Sequence, residues 1–373
     1  MQIQRLLLSN YRNYEHLDLP ITNGLCIFVG ENAQGKTNLL EAIYYAATGR
    51  SFRTADDGEL VAWGADKAGI NCDVERMIGP ANIEIRLSCR SAKRITVNGR
   101  FLRRLADIFG YLNVVMFTPD DLQLVKGGPG ERRRFLDIEL AQVNATYRHD
   151  LSAYYRVLKQ RNHLLRSVLE GHEGTESLPA WNEQLLELGC RVMVKRAEAV
   201  SRLSEMATLV HGTITQEKEQ LSIGYQPFFA KDNDLAIEYS DIAIREQFTA
   251  AMHRLRHAEL ARGQTLVGPQ RDDLRFYIAG RDVRAFASQG QQRTAVLACK
   301  LAELEFMRSQ TGEYPVLLLD DVMSELDQQR RQYFLQVISG RVQTFITTTS
   351  LHSFSKEFLA SAQVASIVHG EVR

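Results

Sequence analysis

The stretch GLCIFVGENAQGKTNLLEAIYYAAT, residues 24–48, constrains this chain more than any other. A short apolar run, LCIFV, leads into G-x-x-x-x-G-K-T, and apolar residues at helical spacing follow. Strand, glycine loop and helix in that order predict a phosphate-binding loop on an α/β sheet; a chance match to the pattern would lack that context. Gly30 and Gly35 permit the backbone turns that aim several N–H groups at phosphate oxygens. Glu31, Asn32, Ala33 and Gln34 complete the loop, and Asn38 follows it. Lys36 brings positive charge to the β- and γ-phosphates, and the Thr37 hydroxyl is placed to ligate Mg²⁺.

A nucleotide hydrolase also needs a carboxylate at the tip of a buried neighbouring strand. PVLLLDD, residues 315–321, supplies one. Its apolar run carries Asp320 to the strand end, where it would hold Mg²⁺, and puts Asp321 where a general base or water-orienting carboxylate is useful. Two acids on a solvated turn is the competing reading, and so apolar a run stands against it. Lys36, Asp320 and Asp321 are therefore the candidate catalytic residues.

Nearly the whole chain separates Lys36 from Asp320, whereas simple kinases and GTPases bring these motifs within one compact domain. Between them lies A-S-Q-G-Q-Q-R at residues 287–293, opening a predicted helix. Ser288-Gln289-Gly290-Gln291 resembles the S-G-G-Q signature of ATP-binding cassette ATPases. A serine hydroxyl, a glycine N–H and a helix N-terminus form a good anion site. The resemblance implies that this turn caps the γ-phosphate of ATP on a second copy. SELD, residues 324–327, stands where that class has its D-loop, so Asp327 is expected to meet the other protomer's nucleotide loop. No histidine ends TFITTTS, where that class has a switch histidine, and His352 lies slightly beyond. With Asp321 in place of a glutamate, slow hydrolysis is the expectation.

Composition limits what else the chain can be. Its 373 residues suffice for two or three domains or for one with a large insertion. Lys plus Arg and Asp plus Glu both number 45, so nucleic acid must be attracted by a local patch rather than a global field. Five scattered cysteines without a C-x-x-C pair argue against zinc or a disulfide framework and suit a reducing cytoplasm. No apolar run reaches the ~20 residues of a membrane span.

Along the chain, residues 1–125 read mainly as strands, with a hairpin at Asn98-Gly99 and the phosphate loop inside. Residues 126–260 read as an inserted helical arm. One apolar series runs from Leu136 to Leu165 and a second from Trp181 to Val210, joined by the polar turn EGHEGTESLP. Residues 261–373 read as a second strand-bearing lobe carrying signature, acid strand and D-loop. The predicted fold is an α/β ATPase head of cassette/SMC type, assembled from both chain ends around the arm.

The whole chain resembles the RecF family of bacterial recombination-mediator ATPases, relatives of SMC proteins. NYRNY, GENAQGKTN, FTPDDLQLVKGGPGERRRFLD (117–137), LVGPQRDDL (266–274), SQGQQR and LLLDD-x-x-SELD carry the resemblance. The long stretch at 117–137 is the most specific, because cassette ATPases in general lack it. The resemblance implies a cytoplasmic repair and replication protein that dimerises with ATP and Mg²⁺. It further implies binding to single-stranded and duplex DNA at gaps, and work with RecR and RecO to load RecA, hence a link to the SOS response. The ATPase subunit of a cassette transporter is the alternative; it would bring a switch histidine and a short helical subdomain.

From Lys126 to Arg166, nine Lys or Arg residues face four acids, a net of +5. Lys126, Arg132, Arg133 and Arg134 are the candidate DNA contacts there, with a solvated helix face as the competing reading. Arg12 and Tyr14 are candidates for approaching the nucleotide or for a simple surface role. Gln123, Asp120 and Asp121 are rivals for a Mg²⁺-sensing position.

Overall fold

The computed structural model describes residues 1–230 and 239–373, which form two compact units. The first contains Met1–Asp121 and Glu303–Arg373, so both chain ends build it. At its heart Leu25–Val29 pairs in parallel with Thr344–Thr348 on one side and Gln363–Val368 on the other. Val316–Asp320 and then Val114–Phe117 continue the sheet past Thr344–Thr348, all parallel. Val316–Leu319, Val114–Phe117 and Thr344–Thr348 are buried throughout, the pattern of strands covered on both faces. Parallel strands end on one edge, so the chain leaves Val29 and Asp320 on the same side, where open α/β sheets bind ligands.

A second, antiparallel sheet of this unit runs in the order Tyr14–Pro20, Gln2–Tyr11, Lys67–Glu75, Ala81–Ser88, Arg94–Val97, Arg100–Phe101. Burial alternates along Lys67–Glu75 and Ala81–Ser88, as for strands with one face in a core. Asn98 and Gly99 take φ of 48° and 76°, the left-handed pair that a two-residue hairpin turn needs. Helix Lys36–Thr48 packs against strands of both sheets and is buried from Leu39 to Thr48.

The second unit, Leu122–Ala302, carries the long helices. The expected first helix is broken: Pro129–Val143 stops, and Ala145–Leu169 restarts at Asn144, whose side chain accepts a hydrogen bond from Tyr147 N–H. Asn144 has extended backbone angles and competes for helix N–H groups, which is why apolar spacing alone ran through it. Leu178–Thr215 then runs 38 residues, about 57 Å. Tyr147 and Tyr154 are core residues of this unit, whereas Tyr155 is exposed.

The insertion is not purely helical. Leu221–Gln226 pairs antiparallel with Asp273–Ile278, which pairs in turn with the short strand Arg281–Asp282. Residues 261–302, signature included, thus group with the helices rather than with the C-terminal strands. The reason is backbone pairing: Asp273–Ile278 satisfies its peptide groups on Leu221–Gln226. No described helix is long and apolar enough to cross a membrane.

Candidate functional site

Three constrained backbone positions shape the phosphate loop. Ala33 and Gly35 have φ of 66° and 114°, and a Cβ on Gly30 would lie 2.5 Å from the Ile367 carbonyl oxygen. Left-handed positions within a turn belong to the nests of successive N–H groups that cradle anions. Lys36 is buried, and its ammonium donates to the Gly30 and Glu31 carbonyls at 2.6 and 2.7 Å. Burial pulls its pKa down, while Asp321 and Asp320 pull it up.

Thr37 Oγ1 donates to Asp320 Oδ1 at 2.9 Å, across 283 residues of sequence, and Thr347 Oγ1 donates to the same oxygen at 2.8 Å. This hydroxyl–carboxylate pair beside a lysine fits a triphosphate and a hard divalent cation, which prefers oxygen ligands. Thr37 and Asp320 are the residues that would hold Mg²⁺. Asp321 adopts φ of 52°, an uncommon left-handed state for a non-glycine residue, held by its N–H donating to Thr347 Oγ1 at 3.0 Å. Burial raises its carboxyl above the ordinary value, Lys36 lowers it, and Asp320 adds to the rise.

A brace that the sequence reading missed encloses this loop. Asn13 Nδ2 donates to the Gln34 carbonyl at 2.9 Å, and Asn13 Oδ1 accepts from Asn38 Nδ2 at 2.8 Å. Tyr14 is buried, and its hydroxyl donates to the Gly35 carbonyl at 3.0 Å. Arg12 forms a two-toothed pair with fully buried Glu41 on the loop's own helix, both bonds 2.9 Å. Arg12 is thus committed to Glu41 and Tyr14 to the loop backbone, neither being a plain surface residue. From the far end of the sequence, Gly370 N–H donates to the Gln34 carbonyl at 3.1 Å and His369 N–H to Gln34 Oε1 at 2.7 Å. NYRNY was visible in the sequence, but nothing there linked it or His369 to Gln34.

In the second unit, Ser288 precedes helix Gln289–Thr311. Ser288 Oγ accepts from Gln291 N–H at 3.3 Å while Gln291 Oε1 accepts from Ser288 N–H at 2.8 Å. That reciprocal pair is a capping box, and its serine is exposed. Phe286, two residues earlier, is 73% exposed. Asp327, in the first unit, caps helix Gln328–Ile338 through Arg330 N–H and pairs with the Arg330 guanidinium. Asp121 accepts from Thr118 N–H at 2.9 Å and so closes a turn, while Gln123 is exposed.

The basic candidates separate sharply. Arg132 is only 3% exposed and forms a two-toothed pair with Asp273 at 2.6 and 2.9 Å, so the expectation of a DNA contact there is corrected. Arg161 pairs with Glu259 at 2.6 Å, and Arg196 with Asp137 and Asp272 at 2.7 and 3.2 Å, all three arginines buried. A cation taken out of water needs such partners. Lys126 and Arg134 are exposed and Arg133 half-buried, and among the described residues none of them pairs with a carboxylate.

The family described as RecF/RecN/SMC N terminal domain matches residues 2–370. The chain is similar to the DNA replication and repair protein RecF of Symbiobacterium thermophilum, 47% identical over 94% of this chain and 92% of that one. It is 43% identical to RecF of Halalkalibacterium halodurans over 100% of this chain and 99% of that one, and to that of Bacillus subtilis over 99% of each. Among solved structures, the recombination mediator RecF-ATP in the RecFOR pathway has a TM-score of 0.90 at 34% identity, covering 100% of this chain and 96% of that one. An Smc head bound to the C-winged helix domain of ScpA has a TM-score of 0.56 at 14% identity, covering 100% and 96%; this is likeness of fold alone.

Proposed function

Because this chain belongs to the RecF family of DNA replication and repair proteins, we propose that it is an ATP-dependent DNA-binding protein of recombinational repair and replication. In this reading two copies close over two ATP molecules, each copy's Ser288–Gln291 turn meeting the triphosphate on its twin. The closed dimer binds DNA at gaps, where single strand meets duplex, and acts with RecR and, through RecO, on RecA loading. Hydrolysis is slow and times release. The observation that carries the reading is the Thr37–Asp320 hydrogen bond, which joins a loop and a strand encoded at opposite ends of the chain into one site.

The chemistry follows from this chain's own groups. The loop N–H groups and Lys36 hold and orient phosphate oxygens, and preorganised donors of this kind favour the charge of phosphoryl transfer. Bound Mg²⁺ supplies neutralisation of the phosphate oxygens. Asp320 keeps the Thr37 hydroxyl in place, and Asp321 orients a water and accepts its proton.

Two measurements test the proposal. Sedimentation with ATP and Mg²⁺ is expected to show a dimer that is lost in Lys36→Met. Gel shift on a gapped duplex is expected to show a complex that needs ATP. A wild-type protein that stays monomeric with ATP, Mg²⁺ and gapped DNA present overturns the proposal.

A further inference from the structure

Two of the stretches that carry the family resemblance, 117–137 and 266–274, contribute residues to an open cavity of about 420 Å³ in the second unit. Arg133 comes from the first and Gln270 and Arg271 from the second, with Asn162 and Gln264 alongside. Arg133 Nη1 donates to the Asp272 carbonyl at 2.7 Å, and Arg271 Nη2 to the Thr265 carbonyl at 3.2 Å. Those backbone bonds fix each side chain and use one of its five N–H groups. Neither arginine pairs with a carboxylate among the described residues, and no described residue lining the cavity is acidic. Buried neighbours Arg132, Arg161 and Arg196 all have acid partners. Two anchored guanidiniums facing amides are therefore left with charge to satisfy.

The cavity is continued by a basic strip. Leu158 and Asn162 of helix Ala145–Leu169 line it, and on the adjoining face stand Arg156, Lys159, His163 and Arg166, all exposed. Their three-and-four spacing makes one row along the helix. A Cβ on Gly263 would lie 3.4 Å from Arg166 Cα, which puts the end of the row against the segment that contributes Gln264. Arg156, Lys159 and Arg166 likewise have no carboxylate partner among the described residues. The row rises about 15 Å, the length of roughly four phosphates along one strand of duplex.

We infer that the cavity between Arg133 and Arg271 is a phosphate subsite for DNA, seating one backbone phosphate while the strand runs along Arg156, Lys159 and Arg166. This deepens the DNA-binding reading and rests on it. Arginine suits the task because its planar fork grips a phosphate in two places. Contacts of this kind position a strand without reading its sequence.

The test is the salt dependence of binding to a fluorescent gapped duplex, measured on the full chain with ATP. Arg271→Ala and Arg133→Ala are each expected to weaken binding several-fold and to lower the slope of log K against log salt by about one. Arg271→Lys keeps most of the slope, and Arg202→Ala, an exposed charge on another helix face, leaves it unchanged. Thermal unfolding checks folding; if the cavity variants unfold, the exposed pair Lys159→Ala/Arg166→Ala is expected to weaken binding and to lower the slope by about two. Slopes equal to wild type, or a loss matched by Arg202→Ala, overturn the subsite while leaving ATP-dependent DNA binding standing. Wild-type protein that binds no DNA overturns both.

Discussion

The side-chain amide of Asn13 and the backbone N–H of Gly370 converge on one acceptor, the carbonyl oxygen of Gln34, at 2.9 and 3.1 Å. The two donors come from opposite ends of the sequence, and the acceptor sits in the phosphate loop. Asn13→Ala removes one of these bonds and the link to Asn38, so nucleotide affinity is expected to fall about fivefold, from ~1 kcal/mol of hydrogen bonding. Titration of a fluorescent ATP analogue measures it, with unfolding temperature as the control.

Gly370 is a sharper probe of the same grip. Its φ is +81°, and an added Cβ would lie 2.1 Å from the Asn13 carbonyl oxygen, which is backbone and cannot swing away. Gly370→Ala is expected to impair nucleotide binding more than Asn13→Ala. Equal affinities of Gly370→Ala and wild type would refute the coupling.

In the proposed role of base, Asp321 would act only when ionised. Burial and Asp320 raise its pKa and Lys36 lowers it, with the net above the ordinary 3.8. Single-turnover hydrolysis is therefore expected to rise with pH through an inflection above 3.8 and to level once the carboxylate is formed. Asp321→Asn removes that limb and slows the step by roughly a hundredfold or more.

Phe286 leaves a large ring in water beside the capped serine turn. Aromatic anchors of this kind carry a large share of interface energy. Phe286→Ala is expected to raise the protein concentration at which ATP drives dimerisation by about tenfold while single-copy ATP affinity stays unchanged. Sedimentation at a series of concentrations reads it.

Arg132 supports the fold rather than a ligand. Arg132→Ala leaves Asp273 with only the longer Arg275 pair at 3.5 Å, and urea unfolding should show a loss of about 3 kcal/mol. Its DNA-binding salt slope should match wild type, in contrast to Arg133→Ala.

Much of the candidate site was legible because its determinants are local. GENAQGKT dictates its own turns, and PVLLLDD announces a buried strand with acids at its tip. Asn98-Gly99 names its hairpin for the same reason. What stayed hidden depends on distant pairing. Nothing near Leu221–Gln226 says that it joins Asp273–Ile278 in a sheet, and the apolar rhythm through Asn144 conceals a break set by one side chain's hydrogen bond. Charge counting failed differently: Arg132 and Arg134 are two apart in sequence, yet one is buried with Asp273 and the other exposed. A helix turns by about 100° per residue, so a run of like charges is split between core and solvent.

The grip of His369 on Gln34 spans 335 positions. A ribosome making this chain releases the loop long before the residues that steady it, by roughly half a minute at ~10 residues per second. Throughout that interval the nascent polypeptide holds a glycine-rich turn that has nothing to lean on from the far strand. Stalled or prematurely cut products consequently lack the support that the end of the chain gives this loop.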